Sequence, residues 1–224
     1  MAMPPIAAGR YKFSPKRFRK SVKDYETRSA LIYQTLERLC EEHPHHRSEK
    51  AIGAKVRIIS RTFAAQIERK IRSDGSPGSS LRQLVSHFLV HGVDIDKWIK
   101  KIPNGSNHRM DAKAVPAILD VQSRLVNLLR EITTNGEQSP RSFVSKYLHF
   151  HRPLVPIYDS VASSALKKLV PWQKCFDDGS VDPPGDEKYR RYVMRLWQLN
   201  GQAIKAGVDP TVRELDRYLF AETE

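Results

Sequence analysis

Apolar residues recur at helical spacing along most of this chain, and no segment alternates apolar and polar residues with the period of two that marks a strand. In one long helical segment, residues 115–132, Ile118 and Val121 fall on one stripe. Its first turn contains Pro116, a position where no backbone N–H donor is needed. Loops rich in glycine, serine and proline separate such segments. The pattern predicts an all-α protein.

The order of the segments predicts a short arm followed by one helical domain. Residues 1–20 hold several prolines and the basic run PKRFRK, which predicts a mobile or loosely docked basic arm. Residues 21–224 are predicted to form a single domain of two helical lobes, about 21–135 and 136–224, with a cleft between them. Helices are expected at 25–40, 49–73, 81–91, 94–101, 115–132, 159–170, 189–206 and 211–220, with one more around Lys146.

The charge of the chain indicates the kind of partner it binds. The sequence has 38 Lys+Arg against 25 Asp+Glu, which gives a net charge of +13. An excess of this size favours a polyanion, because neutralising phosphates releases condensed counterions. An anionic membrane is the competing partner, but no apolar run approaches the roughly 20 residues that a span requires. The charge therefore predicts a polyanionic partner.

The first residues and the cysteines indicate the compartment. The start MAMPPIAAGR lacks the apolar core of a secretory signal. Cys40 and Cys175 lie far apart without metal-ligand spacing, so we expect no zinc site and a reduced, cytoplasmic setting. We also expect a monomer.

One segment, RSFVSKYLHFHRPLVPIYDSVASSAL, combines a lysine and an aspartate in a way that suggests chemistry. Lys146 sits in an apolar helical pattern, Pro153 and Pro156 then break the chain, and Asp159 is the expected N-cap of the next helix. A lysine becomes a nucleophile only when unprotonated, which burial promotes. Two antiparallel helices would place both side chains in one groove. The alternative is a surface lysine and an ordinary capping aspartate.

The sequence SKYLHFHRPLVPIYDS resembles a segment of bacterial relatives of 8-oxoguanine DNA glycosylase, in the helix-hairpin-helix DNA glycosylase superfamily. The resemblance implies that Lys146 and Asp159 are the catalytic lysine and aspartate, and that no metal or organic cofactor takes part. The terminal TVRELDRYLF is similar to the last helix of those relatives, and SRTFAAQIERKI is a weaker similarity. Together these segments cover about a quarter of the chain.

The chain also departs from the superfamily, whose hairpin carries an LPGVG-type turn that grips a DNA phosphate. Here the corresponding place reads NGEQSPRSFVS, so a degenerate hairpin is expected and the grip would pass to Arg141 or Arg152. We also assign Arg61 and Ser160 to DNA contacts. Arg61 lies near Arg57, Arg69 and Arg72 on one side of the second helix, and a solvated basic face is the alternative reading of these arginines.

Several aromatic residues have two possible roles each. His149, three residues after Lys146, and Tyr158 are assigned to a pocket for the extruded base, although His149 would serve equally well as a core histidine. His43, His45 and His46 form either a metal site or a solvated helix end. The three tryptophans are expected in the core, or one of them stacks on a base; they are Trp98, Trp172 and Trp197.

These observations predict a DNA glycosylase that extrudes a damaged or modified base, in host or invading DNA, and excises it. Lys146 would attack the sugar carbon and form a Schiff base that permits strand cleavage, and Asp159 would stabilise the developing positive charge. Two alternatives remain open from the sequence. One is a catalytically inactive sensor of modified DNA, and the other is a helical protein-interaction module.

Overall fold

The computed structural model describes residues 13–63, 65, 67–72, 76, 78–104, 108–134, 139–171 and 186–222. Within these residues the protein is helical, without a strand, and the prediction of an all-α protein is confirmed. The α-helices are α1 (Pro15–Glu42), α2 (Glu49–Thr62), α3 (Ser79–Val90), α4 (Gly92–Lys101), α5 (Val115–Arg130), α6 (Arg141–His151), α7 (Ser160–Leu169), α8 (Glu187–Lys205) and α9 (Val212–Ala221). A short 3₁₀ helix, Ile67–Lys70, follows α2.

Most helices begin at a residue whose side chain accepts a backbone N–H, as capping physics requires. Ser14, Ser48, Asp159 and Asp186 cap α1, α2, α7 and α8 in this way. At the start of α9, Thr211 and Glu214 form the reciprocal capping box that the sequence PTVRE predicts.

The structure corrects the predicted arm at residues 15–20, which form the first turns of α1. Ser14 caps this helix and Pro15 occupies its first turn. Phe18 is buried, with its ring centroid 5.4 Å from those of Phe13 and Tyr218. Packing of this one aromatic residue against α9 therefore outweighs the basic composition of the run. The remainder of the predicted arm, residues 1–12, lies outside the described residues.

The predicted helix 49–73 ends early, at Thr62, and the chain turns at Phe63. The Phe63 ring packs edge-on against Tyr33 and lies 5.3 Å from Phe150, which fixes the turn. Ile67 and Ile71 are buried as predicted, but through the 3₁₀ helix and a β-bridge to Thr133. Residues 135–138 and 172–185, which include Trp172 and Cys175, lie outside the described residues.

Helix α6 is the central element of the core. Every residue from Phe143 to His151 is buried, and the helix packs against α1, α2 and α5. The Tyr147 ring lies 4.9 Å from the ring of Phe88 and 5.8 Å from that of Phe143. A helix buried on all sides positions its side chains rigidly, because neighbours fix every face.

A polar network attaches the loop after α1 to this central helix. His46 is buried; its Nδ1 lies 2.6 Å from Asp96 Oδ1 and its Nε2 lies 2.7 Å from the Tyr147 hydroxyl. Burial lowers the pKa of His46, although the hydrogen bond to Asp96 acts in the opposite direction. Since both nitrogens of His46 are occupied, while His43 and His45 are exposed, these three histidines do not converge on a metal site.

Among the helices described, none has the length and apolar character needed to cross a membrane.

Candidate active site

Helices α6 and α7 bring Lys146 and Asp159 into direct contact. The Lys146 amine lies 3.1 Å from Asp159 Oδ2, and it also donates to the Phe63 carbonyl at 2.8 Å and to Ser142 Oγ at 3.2 Å. The side chain of Lys146 is 4% exposed and that of Asp159 is 20% exposed. Lys146 is therefore buried, which excludes the alternative of a surface lysine, and solvent reaches the pair from the side of Asp159.

The two oxygens of Asp159 have separate functions. Oδ1 accepts the backbone N–H of Val161 at 2.9 Å, so Asp159 is the N-cap of α7 as predicted. Oδ2 faces Lys146. The N-terminal end of a helix favours negative charge, and the lysine adds to that preference. The carboxylate is thus held by two elements at once.

The turn that joins α6 to α7 is fixed by side-chain bonds to its backbone. Ser145 Oγ accepts the N–H of Tyr158 at 2.9 Å, and the His149 ring bonds the Val155 carbonyl through Nδ1 at 2.8 Å. Such bonds prevent the turn from relaxing, so the distance between Lys146 and Asp159 is preorganised. A preorganised pair of this kind is what general acid–base and nucleophilic chemistry require.

A second carboxyl group, which the sequence did not reveal as a site residue, belongs to the same cluster. Asp216 on α9 is buried, and burial raises its pKa to about 7. The negative charge of Asp159 contributes to the rise, whereas the positive charges of Lys146, Arg213 and Arg217 oppose it. Near neutral pH this carboxyl group holds or releases a proton beside the lysine.

A sequence signal for Asp216 exists in the pattern of α9. Val212, Leu215 and Leu219 form the buried stripe of this helix, and Asp216 occupies the position within that stripe where a fourth apolar residue belongs. Within the described residues, Asp216 Oδ1 and the buried Tyr192 hydroxyl have no hydrogen-bond partner. Unpaired polar atoms of this kind are costly in a core, and they often mark functional positions.

The residues assigned to phosphate contacts lie at different ends of α6. Arg141, in the first turn, forms a two-pronged ion pair with Asp186 at 2.7 Å, and its guanidinium lies 5.2 Å from the ring of Tyr158. Arg152, just after the helix, donates to the carbonyls of Ile102 and His151, and burial lowers its pKa. Both arginines thus have structural partners, and the structure does not bring them together.

Arg61 and Ser160 are both exposed. Arg61 lies in the last turn of α2, two residues before the Phe63 carbonyl that accepts Lys146, and its Nε is 4.0 Å from Glu68. Ser160 is the first residue of α7, directly after Asp159. Each therefore lies within two residues of a group that contacts the lysine, and both side chains are exposed.

The two residues assigned to the base pocket differ in their surroundings. His149 is buried and bonded to Val155, and burial lowers its pKa to about 4, so its contacts are those of a core histidine. Tyr158 is half-buried beside Arg141, and its ring meets the Tyr192 ring edge-on at 5.3 Å. Of the two, Tyr158 retains a surface that a planar ligand can contact.

A pocket of about 710 Å³ opens at the far end of α6. Its walls are formed by residues of α1, of the last turn of α6 and of α9, together with residues of the loops that follow α1, α4 and α6; they include Cys40, His151, Arg152 and Arg213. This pocket is therefore distinct from the surroundings of Lys146. Trp98 and Trp197 are partly buried, and the Trp98 ring has Arg124 6.0 Å from its centre.

Comparison of the chain with protein-family models, with curated proteins and with solved structures found no match.

Proposed function

We propose that this protein is a DNA glycosylase that excises a damaged or modified base through Lys146 and Asp159. The observation that carries the proposal is the buried lysine amine 3.1 Å from a carboxylate that is itself partly exposed. Nucleophilic lysines act from desolvated positions, and a neighbouring carboxylate both accepts a proton and stabilises positive charge. The resemblance of the SKYLHFHRPLVPIYDS segment to glycosylases gives the substrate class.

The proposed reaction proceeds at the sugar carbon C1′. The bond from C1′ to the base nitrogen breaks, and the base leaves with the electron pair and takes up a proton. Asp159 stabilises the positive charge that develops on the sugar. Lys146 passes one proton to Asp159 and forms the new bond from Nζ to C1′. The C1′–O4′ bond then breaks, a second proton moves from the nitrogen to O4′, and the open-chain sugar is left as a protonated Schiff base. By holding or releasing a proton, the carboxyl group of Asp216 changes the charge near the Lys146 amine during these steps.

DNA is held, in this proposal, on the exposed surface around Arg61 and Ser160, with the net charge of +13 attracting the backbone from a distance. A base extruded from the duplex would stack on Tyr158, whose ring is half-buried beside the guanidinium of Arg141. The sugar carbon of that nucleotide would then face the open side of Asp159.

A second candidate is a protein without catalysis, either a DNA-binding sensor of modified DNA or a helical protein-interaction module. One observation favours it: the amine of Lys146 has three acceptors in place and a side chain that is only 4% exposed. A lysine in these surroundings would also serve to fasten α6 to α7 and to the end of α2.

Borohydride trapping separates the two candidates. Duplex DNA that contains an abasic site or 8-oxoguanine is mixed with the protein, and sodium borohydride reduces any Schiff base to a stable adduct. We expect a covalent adduct, and mass spectrometry of its peptides should locate the modification at Lys146. DNA binding without an adduct would support the sensor, and absence of binding would support the interaction module.

Variants at Lys146 and at a control lysine test which residue forms the adduct. Lys146→Gln should abolish the adduct, and Lys146→Arg should do so while keeping a positive charge beside Asp159. Lys167→Gln, which removes an exposed lysine from α7, is the matched control and should trap DNA like the wild type. If the two Lys146 variants still form the adduct at the wild-type level, Lys146 is not the nucleophile.

A further inference from the structure

Three potential metal ligands converge where α3 and α5 end. His87 and His91 lie at the end of α3, and Glu131 directly follows the last residue of α5. Each offers one ligand atom, and these atoms all lie within 4.8 Å of one another. Within the residues that the structure describes, this is the one such group of three histidine, cysteine or carboxylate side chains. It lies apart in sequence from the residues proposed for catalysis.

The spacing of the two histidines favours joint coordination. Residues four apart lie on the same face of a helix, so His87 and His91 point in a common direction. The backbone N–H of His91 bonds the His87 carbonyl at 3.2 Å, which keeps the turn helical. The two rings have centroids 4.7 Å apart. The helix thus fixes the spacing of the pair before any ion binds.

Glu131 completes the set from a second element. Its carboxylate lies 3.8 Å from His87 Nε2, and its side chain is 62% exposed against 13% for His87. A tetrahedral zinc ion with bonds of about 2.0 to 2.2 Å would hold its ligand atoms roughly 3.4 Å apart. The exposed carboxylate and the half-buried His91 are free to close that small difference by rotation of their side chains.

We infer that His87, His91 and Glu131 form a binding site for a divalent transition metal ion of the zinc type. Two imidazoles and a carboxylate are ligands that such ions select, whereas Mg²⁺ and Ca²⁺ prefer oxygen alone. Three protein ligands leave a fourth position for water. The bound ion would join the end of α3 to the end of α5, which stabilises the folded state because the unfolded chain does not assemble the site.

One existing contact competes with this site. His87 Nε2 lies 3.0 Å from the Leu128 carbonyl, near the end of α5, so the ring already caps that helix. Coordination through Nδ1 keeps the bond to Leu128 as a support for the ligand, as metal-binding histidines commonly have. Coordination through Nε2 exchanges it for the ion. If His87 only capped α5, His91 and Glu131 would have no role. Substitution of either residue therefore distinguishes capping from metal binding.

The test titrates the full-length protein with Zn²⁺ in calorimetry and with Co²⁺ in visible absorption. We expect one ion per chain at this site, a Co²⁺ spectrum of a low-coordinate nitrogen and oxygen site, and a higher thermal midpoint with Zn²⁺. His87→Gln and His91→Gln should each weaken binding by roughly 100-fold, at the upper end of the 10- to 100-fold typical for loss of a supporting residue. Glu131→Gln, at an exposed position, should weaken it without affecting the fold.

A matched control replaces the two exposed histidines after α1. The double variant His43→Ala/His45→Ala removes two imidazoles, as many as the proposed site contains, and should keep both the stoichiometry and the affinity for the ion. Absence of saturable binding, or binding that survives in Glu131→Gln and in both single histidine variants, would overturn the inference. Loss of binding in the control variant would overturn it as well, since the ion would then sit at the end of α1.

Discussion

Removing one member of a buried ion pair leaves the other member charged and uncompensated. Asparagine is a good N-cap, and on the sequence alone Asp159→Asn is expected to keep the fold. The contact with Lys146 changes that expectation, because the amine loses its only charged acceptor among those described. We expect a loss of roughly 2 to 3 kcal/mol in unfolding free energy, below the roughly 3 to 5 kcal/mol of a fully buried pair since Asp159 is 20% exposed.

A double-mutant cycle measures this coupling by denaturant unfolding. The variant Lys146→Met/Asp159→Asn should recover much of the stability lost in Asp159→Asn, because it no longer buries a lone charge. Ser142→Ala is the matched control. It removes one hydrogen bond from the amine, costs about 1 kcal/mol, and should leave base excision intact. Additive effects of the two pair substitutions would contradict a coupled pair, and base excision by Asp159→Asn would contradict its catalytic role.

The buried carboxyl group of Asp216 predicts a pH dependence of stability. Its pKa is about 7 in the folded protein against 3.8 for the free group. Between about pH 4 and pH 7 the folded state therefore binds a proton that the unfolded state has released. Stability from this group therefore falls as pH rises from about 4 to about 7. Asp216→Asn stays neutral and should escape that loss. Its unfolding free energy relative to wild type should increase across this range, by at most about 4 kcal/mol.

Measured thermal midpoints of the two proteins from pH 4 to pH 8 test this expectation. The comparison is a difference, so contributions from other groups cancel, including the buried histidines, whose effect has the opposite sign. His149, with its pKa lowered to about 4, adds stability that is lost as pH falls below about 6.5. A constant difference between wild type and Asp216→Asn would show that Asp216 is ionised throughout.

How far the site could be predicted at this scale depends on how local each signal is. The Asp159 cap follows from the residues on either side of it, and the helical position of Lys146 follows from apolar spacing. The Phe63 carbonyl and Asp216 could not be placed in the same way. The Phe63 carbonyl bonds the amine because α2 ends at Thr62, and Asp216 interacts electrostatically with Lys146 because α9 packs on α7. Both are outcomes of tertiary packing.

At the scale of elements, the capped starts of α7 and α9 were predicted correctly, whereas the capped start of α1 and the interruption after α2 were not. The predicted start of the last helix matches the observed capping box at Thr211, whose hydrogen bonds involve only neighbouring residues. The end of α2 depends instead on aromatic contacts of Phe63 with Tyr33 and Phe150, which are distant in sequence. The first turns of α1 were missed for the same reason, since Phe18 finds its partner on α9.

The junction between α3 and α4 depends on the absence of a side chain at Gly92. A Cβ atom there would collide with the backbone carbonyl of His46, which cannot move freely because His46 bonds Asp96 and Tyr147. We expect Gly92→Ala to lower the unfolding free energy by about 1 to 3 kcal/mol, as overpacking does. Denaturant unfolding measures the effect.

Gly53 in α2 provides the matched control for that substitution. A Cβ atom there would lie 3.7 Å from a Val85 methyl group, which is ordinary contact. Since glycine is unfavourable within a helix, Gly53→Ala should raise stability by roughly 0.5 to 1 kcal/mol. Equal effects of the two substitutions would contradict the close approach of α4 to the His46 loop.

At the scale of the molecule, most of the basic residues and the apolar core lie in different places. Helix α6 is surrounded by other helices and supplies the lysine, whereas much of the basic excess lies on exposed faces. Apolar periodicity is enough to predict the all-α class, because each helix must bury its stripe. The division into lobes about a cleft stays a prediction, since it depends on how helices distant in sequence pack together.

The net charge of +13 predicts DNA binding that weakens steeply with salt. The position of the proposed catalytic pair predicts that the charge of Arg61 contributes most to this salt dependence. Arg61→Glu places a negative charge beside the turn that contacts Lys146, whereas Lys97→Glu makes the same charge change at an exposed residue of α4. Fluorescence anisotropy across salt concentrations should show a slope reduced by about one for Arg61→Glu, which is the contribution of one phosphate contact. Lys97→Glu should leave the slope unchanged.

Equal slopes for both variants would mean that only overall charge attracts the DNA, without a defined contact at Arg61. An unequal result would tie the phosphate backbone to the surface next to the proposed catalytic pair, where an extruded nucleotide has to arrive.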